Sequence, residues 1–340
     1  MNAVQKRIEW VDTGKYVCIM FVMLSHLQSG SEALAKVYTP FFLSGFFFLS
    51  GYVYRQEPSF RQHLQKKVRG LLWPWFVLSN GNILLSMVLN HKEDVDYLAR
   101  FGWNLLQIRT LGDELWFVAA LFMAYIPFYF FAGSRRPAVA LGIMAGLNLL
   151  SQLYRHWMPD DWFPWGLNML PWHLEFVFQA GFWMLVGYDF RRYGEEEFDR
   201  WNTWVNRLGL LLVYLVVTLG PEDLLWLQRL REVPVLTEAL GVAGLVSVCK
   251  AVKANRYIRF VGANTLVYFA FHGWVYATVE LVLQRFAGGF YQAWLESSFG
   301  SSLLAVAITL VVSVVLILPA MVVNRWFPWV LGRKRVKNAV

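Results

Sequence analysis

Charge is scarce in this sequence. Asp, Glu, Lys and Arg make up 16% of its 340 residues while 57% are hydrophobic, a balance that excludes a soluble protein of this length. Cysteine is scarcer still: Cys18 and Cys249 both fall in or beside apolar stretches, and their spacing matches no metal-ligand pattern. They read as packed free thiols. No cleavable secretory signal is expected, because the first apolar stretch carries Asp12, Lys15 and His26 and lacks a small-residue cleavage site. No internal repeat stands out, which weighs against transporters built from inverted repeats. Long polar segments are missing too, the longest being about 91–114 and 191–206, so no appended soluble module is expected. The second holds Glu195, Glu196, Glu197 and Asp199 among basic residues and reads as a solvated amphipathic linker.

What the chain does have is apolar runs that approach or exceed the roughly 18 residues needed to cross a bilayer. Ten helices are expected, near 11–29, 38–55, 71–90, 115–132, 138–154, 170–190, 207–221, 234–251, 259–284 and 301–324. Pro40, Pro74, Pro127 and Pro171 are expected at or near helix ends. On this map 22 Lys and Arg fall on one side and 8 on the other, with Lys15 inside the first helix. Cytoplasmic loops carry the excess of Lys and Arg, so both termini are expected in the cytoplasm. The fold class is therefore an all-α polytopic membrane protein. It is expected to be one domain over 1–340, with a core of about 7–325 and a basic cytoplasmic tail over 325–340. The net charge of +8 follows from topology, and no nucleic-acid partner is expected.

Ionisable residues inside a membrane helix are costly and point to function. Lys15 and His26 are eleven residues apart, which brings both side chains to one helix face about 16 Å apart along the axis. Lys15 reads either as a lysine snorkelling to the cytoplasmic interface, paired with Asp12, or as a phosphate contact for a charged donor. His272, expected 13 residues up its own helix from Arg259, lies at a depth similar to His26. An imidazole there can take a proton from an attacking hydroxyl and return it to a leaving group. Lys66, Lys67 and Arg69 stand before the third helix on the cytoplasmic side and, with Lys15, would make an anion funnel.

On the opposite side, Asp113 and Glu114 precede Leu115 and Trp116, where carboxylates complement a helix dipole or meet an acceptor. His173 and Glu175 open the sixth helix nearby. Trp103, Trp116, Trp157, Trp162, Trp165 and Trp172 form an aromatic membrane belt or a stacking platform for sugar rings. Ser44, Gly45, Ser50 and Gly51 make a strip of small residues along the second helix, suited to close packing or to the wall of a narrow channel.

Taken in order, these segments resemble the membrane acyltransferase-3 family. Arg7-Ile-Glu-Trp-Val-Asp12-Thr-Gly-Lys15, followed by ten residues and His26, looks like that family's basic-residue-to-histidine signature. The run from Pro40 to Tyr52 is similar to its second helix, and Lys66-Lys-Val-Arg-Gly-Leu-Leu-Trp-Pro74-Trp to its basic entry into the third. Leu115-Trp-Phe-Val-Ala-Ala-Leu121 and Phe260–His272 look like its fourth-helix and late-histidine motifs. Gly70 departs from the pattern, since relatives often carry a basic residue there, so the identity of the phosphate contacts stays open.

The resemblance implies an integral membrane O-acyltransferase, most readily an acetyltransferase using cytoplasmic acetyl-CoA as co-substrate and no metal. The acceptor would be a hydroxyl of an envelope or exported saccharide, free or lipid-linked, modified at the bacterial inner membrane by a protein that forms a monomer or a homo-oligomer. Lys15 and Arg69, with Lys66 and Lys67, would hold CoA phosphates. His26 would be general base or acyl carrier, and His272 and Glu114 would orient or transfer protons. Asp113, Trp116, His173 and Glu175 would meet the acceptor. The chain ends soon after the tenth helix, so acceptor binding is expected to use the membrane domain or a partner. Two rivals are a succinyl or other acyl transferase of the same family and a flippase of lipid-linked sugars.

Overall fold

The computed structural model describes residues 7–27, 31–89, 95–108, 111, 115–159, 161–165 and 168–333. Among them the chain is helical and holds no strand. All ten apolar stretches fall on helices, but several are short or interrupted. Among the described residues, six helical spans are long and apolar enough to cross a membrane, or seven if Pro171–Trp201 and Trp204–Leu219, bent by 104° at their junction, count as one span. The protein is an all-helical polytopic membrane protein.

The interruptions have local causes. Pro40 lies in the joint between the helices Glu32–Tyr38 and Phe42–Tyr52. The last apolar stretch divides into Ser298–Val315 and Ile317–Trp326, because Pro319 has no N–H to offer the Val315 carbonyl. The stretch expected at 259–284 is two helices, Arg256–Ala263 and Thr265–Leu295, separated at Asn264. His272 therefore sits seven residues into the second of these rather than thirteen up a continuous helix. Pro127 lies inside the helix Trp116–Ala132, not at its end.

The chain forms two compact units, Met1–Leu49 with Tyr193–Ala320, and Ser50–Arg192 with Met321–Val340. In the first, the opening helix Glu9–Ser25 packs on Arg256–Ala263, Pro234–Ala251, Thr265–Leu295 and Ser298–Val315. Lipid tails are as apolar as these side chains, so association rests on close packing and on interhelical hydrogen bonds. A Cβ on Gly262 would stand 2.3 Å from the Asp12 carbonyl oxygen, which makes glycine the condition for that crossing. At the same end Arg7 pairs with the Asp12 carboxylate and donates to the Arg259 carbonyl at 2.5 Å. The segment after Tyr193 is an ordered helix, Glu195–Trp201, clamped by Lys250 through Glu195 at 2.6 Å and Asp199 at 2.8 Å. Gly45 meets Leu245 and Cys18, so the strip of small residues serves packing there.

In the second unit Trp116–Ala132 packs on Leu174–Asp189, which in turn packs on Pro137–Trp157. Most of Trp116–Ala132 is buried, which matches a helix apolar on all faces. Gly51 lies against the Met184 carbonyl so closely that any side chain there would collide with it. The helix Phe60–Lys67 passes through a π-helical turn, Val68–Leu72, into Trp73–Leu89, and Tyr97–Leu106 folds back on the latter.

Candidate active site

In the first unit the opening helix ends at Ser25, so His26 caps it instead of lying within it. The imidazoles of His26 and His272 face each other with ring centroids 4.8 Å apart and planes inclined at 50°. His26 Nδ1 lies 3.0 Å from the Val22 carbonyl oxygen and His272 Nδ1 lies 2.8 Å from that of Phe269. A carbonyl only accepts, so each Nδ1 carries the hydrogen and each neutral ring has its lone pair on Nε2. Both histidines are thus held in the tautomer that accepts a proton at Nε2. Phe269 stacks on His272, and Tyr276 meets its ring edge while hydrogen-bonding Thr309 at 2.7 Å. His272 is buried and His26 half-buried.

Lys15 is half-buried on the same helix, three turns before His26. Asp12, its expected partner, is engaged by Arg7 instead. Among the described residues no hydrogen bond or ion pair holds the Lys15 ammonium. That arrangement suits an anion contact better than a paired anchor.

Lys66, Lys67 and Arg69, in the second unit, each have a protein partner. Lys66 pairs with Glu57 at 2.5 Å. Lys67 places its ammonium 3.4 Å from the centroid of the Tyr125 ring, with Tyr54 at 5.3 Å, an arrangement in which the ring faces attract the cation. Arg69 Nε donates to the Gly332 carbonyl at 2.8 Å. A phosphate reaching any of the three would compete with these contacts.

His173, Glu175 and Trp116 also meet in the second unit. His173 and Trp116 have ring centroids 4.9 Å apart. The His173 Nδ1–H donates to Glu175 Oε1 at 3.2 Å, and the Leu170 N–H donates to Glu175 Oε2 at 2.9 Å. Trp172 and His173 are consecutive non-glycine residues at positive φ, 60° and 52°. Each such residue costs about 1–2 kcal/mol, and strain of this kind collects at functional sites. Asp113 and Glu114, the other residues expected at this site, lie outside the described residues.

Glu238 is a further buried ionisable group of the first unit. It lies in the helix Pro234–Ala251 and accepts a hydrogen bond from Ser44 at 2.9 Å. The rule that singled out Lys15, a charge within an apolar run, applies equally to Glu238.

No curated protein and no solved structure matches this chain. A sequence profile described as an acyltransferase domain matches residues 8–318, a span that contains Lys15, both histidines and the His173–Glu175 pair. With its helices and that match along nearly its whole length, the chain belongs to the acyltransferase-3 family of integral membrane acyltransferases.

Proposed function

We propose that the protein is an O-acetyltransferase that moves acetyl from cytoplasmic acetyl-CoA to a hydroxyl of an envelope or exported saccharide, at the bacterial inner membrane with both termini in the cytoplasm. The observation that carries the reading is the pairing of His26 and His272, each with its Nδ1–H tied to a carbonyl. In this scheme His26 Nε2 takes the proton of the acceptor hydroxyl while its oxygen attacks the thioester carbonyl. The C–S bond breaks, the thiolate leaves, and the imidazolium returns the proton to sulfur. The products are an acetyl ester and CoA thiol. His272 orients the first ring, and Lys15 holds a CoA phosphate about 16 Å away along the helix.

Acetyl is favoured over succinyl because a donor carboxylate needs an extra cation near the histidines, and the sequence places few Lys and Arg on that side. The flippase alternative loses its ground to the family assignment. The test is His26→Ala in a strain that otherwise lacks the gene, with the acetyl content of envelope saccharides read by mass spectrometry. Loss of acetylation at normal membrane expression is expected. Parent-level acetylation by the well-expressed variant would overturn the catalytic role of His26.

A further inference from the structure

Trp75 Nε1, Gln107 Oε1 and His173 Nε2, all in the second unit, are buried polar atoms with no hydrogen-bond partner among the described residues. Their residues are 2%, 2% and 0% exposed. Buried polar groups are almost always paired, so each such atom asks for an explanation.

A ring contact and a shared hydrogen-bond acceptor link the elements that carry them. Trp75 and Trp172 have ring centroids 5.3 Å apart, and Trp172 precedes His173. Ser79, one turn after Trp75 on the same helix, donates to Asn104 Oδ1 at 2.8 Å. The Gln107 amide nitrogen donates to the same Oδ1 at 3.0 Å and to the Asn104 carbonyl at 2.7 Å. Those acceptors fix the Gln107 amide with its nitrogen toward Asn104 and its oxygen away from it. The Glu175 carboxylate likewise fixes His173 with its lone pair on Nε2. The cluster therefore offers one N–H donor and two acceptors, set among indole rings.

We infer that Trp75, Gln107 and His173 bind the hydroxyl groups of the acyl acceptor, so that the second unit holds a saccharide ring. Sugar hydroxyls both donate and accept, which answers a mixed set of this kind, and the ring's C–H faces suit the indoles. A cation fits poorly, because Glu175 is already engaged by His173 and the Leu170 N–H. The inference rests on the saccharide acceptor of the proposed function.

Two variants each remove one of these polar atoms and keep a related side chain. Trp75→Phe deletes the indole donor but retains a ring. His173→Asn deletes the Nε2 acceptor, keeps an amide that can donate to Glu175, and suits a positive φ because asparagine tolerates it. The purified full-length protein in nanodiscs is assayed for transfer from labelled acetyl-CoA to the saccharide fraction extracted from an envelope that lacks the gene. Each variant is expected to raise KM for that fraction about tenfold, the loss of roughly one hydrogen bond, with KM for acetyl-CoA unchanged. Thermal unfolding should be no lower for Trp75→Phe, since it removes a buried donor that the folded protein leaves unpaired. Parent-like dependence on the saccharide, or an equal rise in both KM values, would overturn the site while leaving the proposed function standing. If the parent itself acylates nothing in that fraction, the saccharide reading falls and takes the site with it.

Discussion

Gly262→Ala is the substitution whose effect is most directly worked from the geometry. The added Cβ would stand 2.3 Å from the Asp12 oxygen, 3.0 Å from its carbonyl carbon and 3.1 Å from its Cα. All three are backbone atoms, so no side chain can rotate out of the way. The helices Glu9–Ser25 and Arg256–Ala263 must separate by about 1 Å, an overpacking that costs roughly 1–3 kcal/mol. The first helix is capped by His26, and the second leads within nine residues to His272. A displacement of about 1 Å in a reacting geometry costs on the order of a hundredfold in rate. Gly262→Ala is therefore expected to insert and fold with a lowered unfolding temperature and to lose about two orders of magnitude in acyl transfer per folded molecule. Gly273→Ala is the matched control: it lies next to His272, a Cβ there meets nothing within 4 Å, and alanine in a helix interior gains up to about 1 kcal/mol. Rates are compared on monodisperse protein at saturating acetyl-CoA. Parent-level turnover in Gly262→Ala, or an equal loss in Gly273→Ala, would refute the coupling of this crossing to the histidine pair.

Lys15→Arg should retain substantial activity, because guanidinium also binds phosphate, whereas Lys15→Gln should raise KM for acetyl-CoA about tenfold for each ~1.4 kcal/mol of binding removed; a Gln variant with the parent's KM would make Lys15 an anchor. For topology, a cysteine placed in 191–206 should react with a membrane-impermeant maleimide only from the cytoplasmic face, and labelling from outside would invert the orientation. The native background is low, since Cys18 and Cys249 are 0% and 1% exposed.

Much of the fold was legible because a bilayer demands long apolar runs, and every such run lies on a helix. The breaks were less legible. Pro127 stays inside its helix because tertiary packing holds the residues on either side, while Asn264 ends a helix with no proline or glycine at the break. Depth along a continuous helix from Arg259 points to the histidine pair, yet that helix is broken at Asn264. What brings the rings together is the packing of Glu9–Ser25 on Thr265–Leu295. The sign of the charges points to an anion funnel, and sign cannot show that Lys67 lies on Tyr125 or that Arg69 reaches the Gly332 carbonyl. Glu238, a charge within an apolar run, carries the same sequence signal as Lys15. Trp75 and Gln107 carry no sequence signal, because an unpaired indole and an unpaired amide look like any others until their surroundings are built.

The π-helical turn at Val68–Leu72 makes the basic helix Phe60–Lys67 a clock set one residue fast. A π turn holds an extra residue relative to α-helix, so everything before it is rotated by roughly 100° against everything after. Deleting Gly70, which has open space around it, would let the turn relax into ordinary helix instead of breaking the chain. The circular-dichroism spectrum would stay that of the parent, while Lys67 would be turned away from Tyr125 relative to Trp75. Chain length at this one turn, independent of which residues fill it, therefore sets the phase between the cationic half of the helix and the half that carries Trp75.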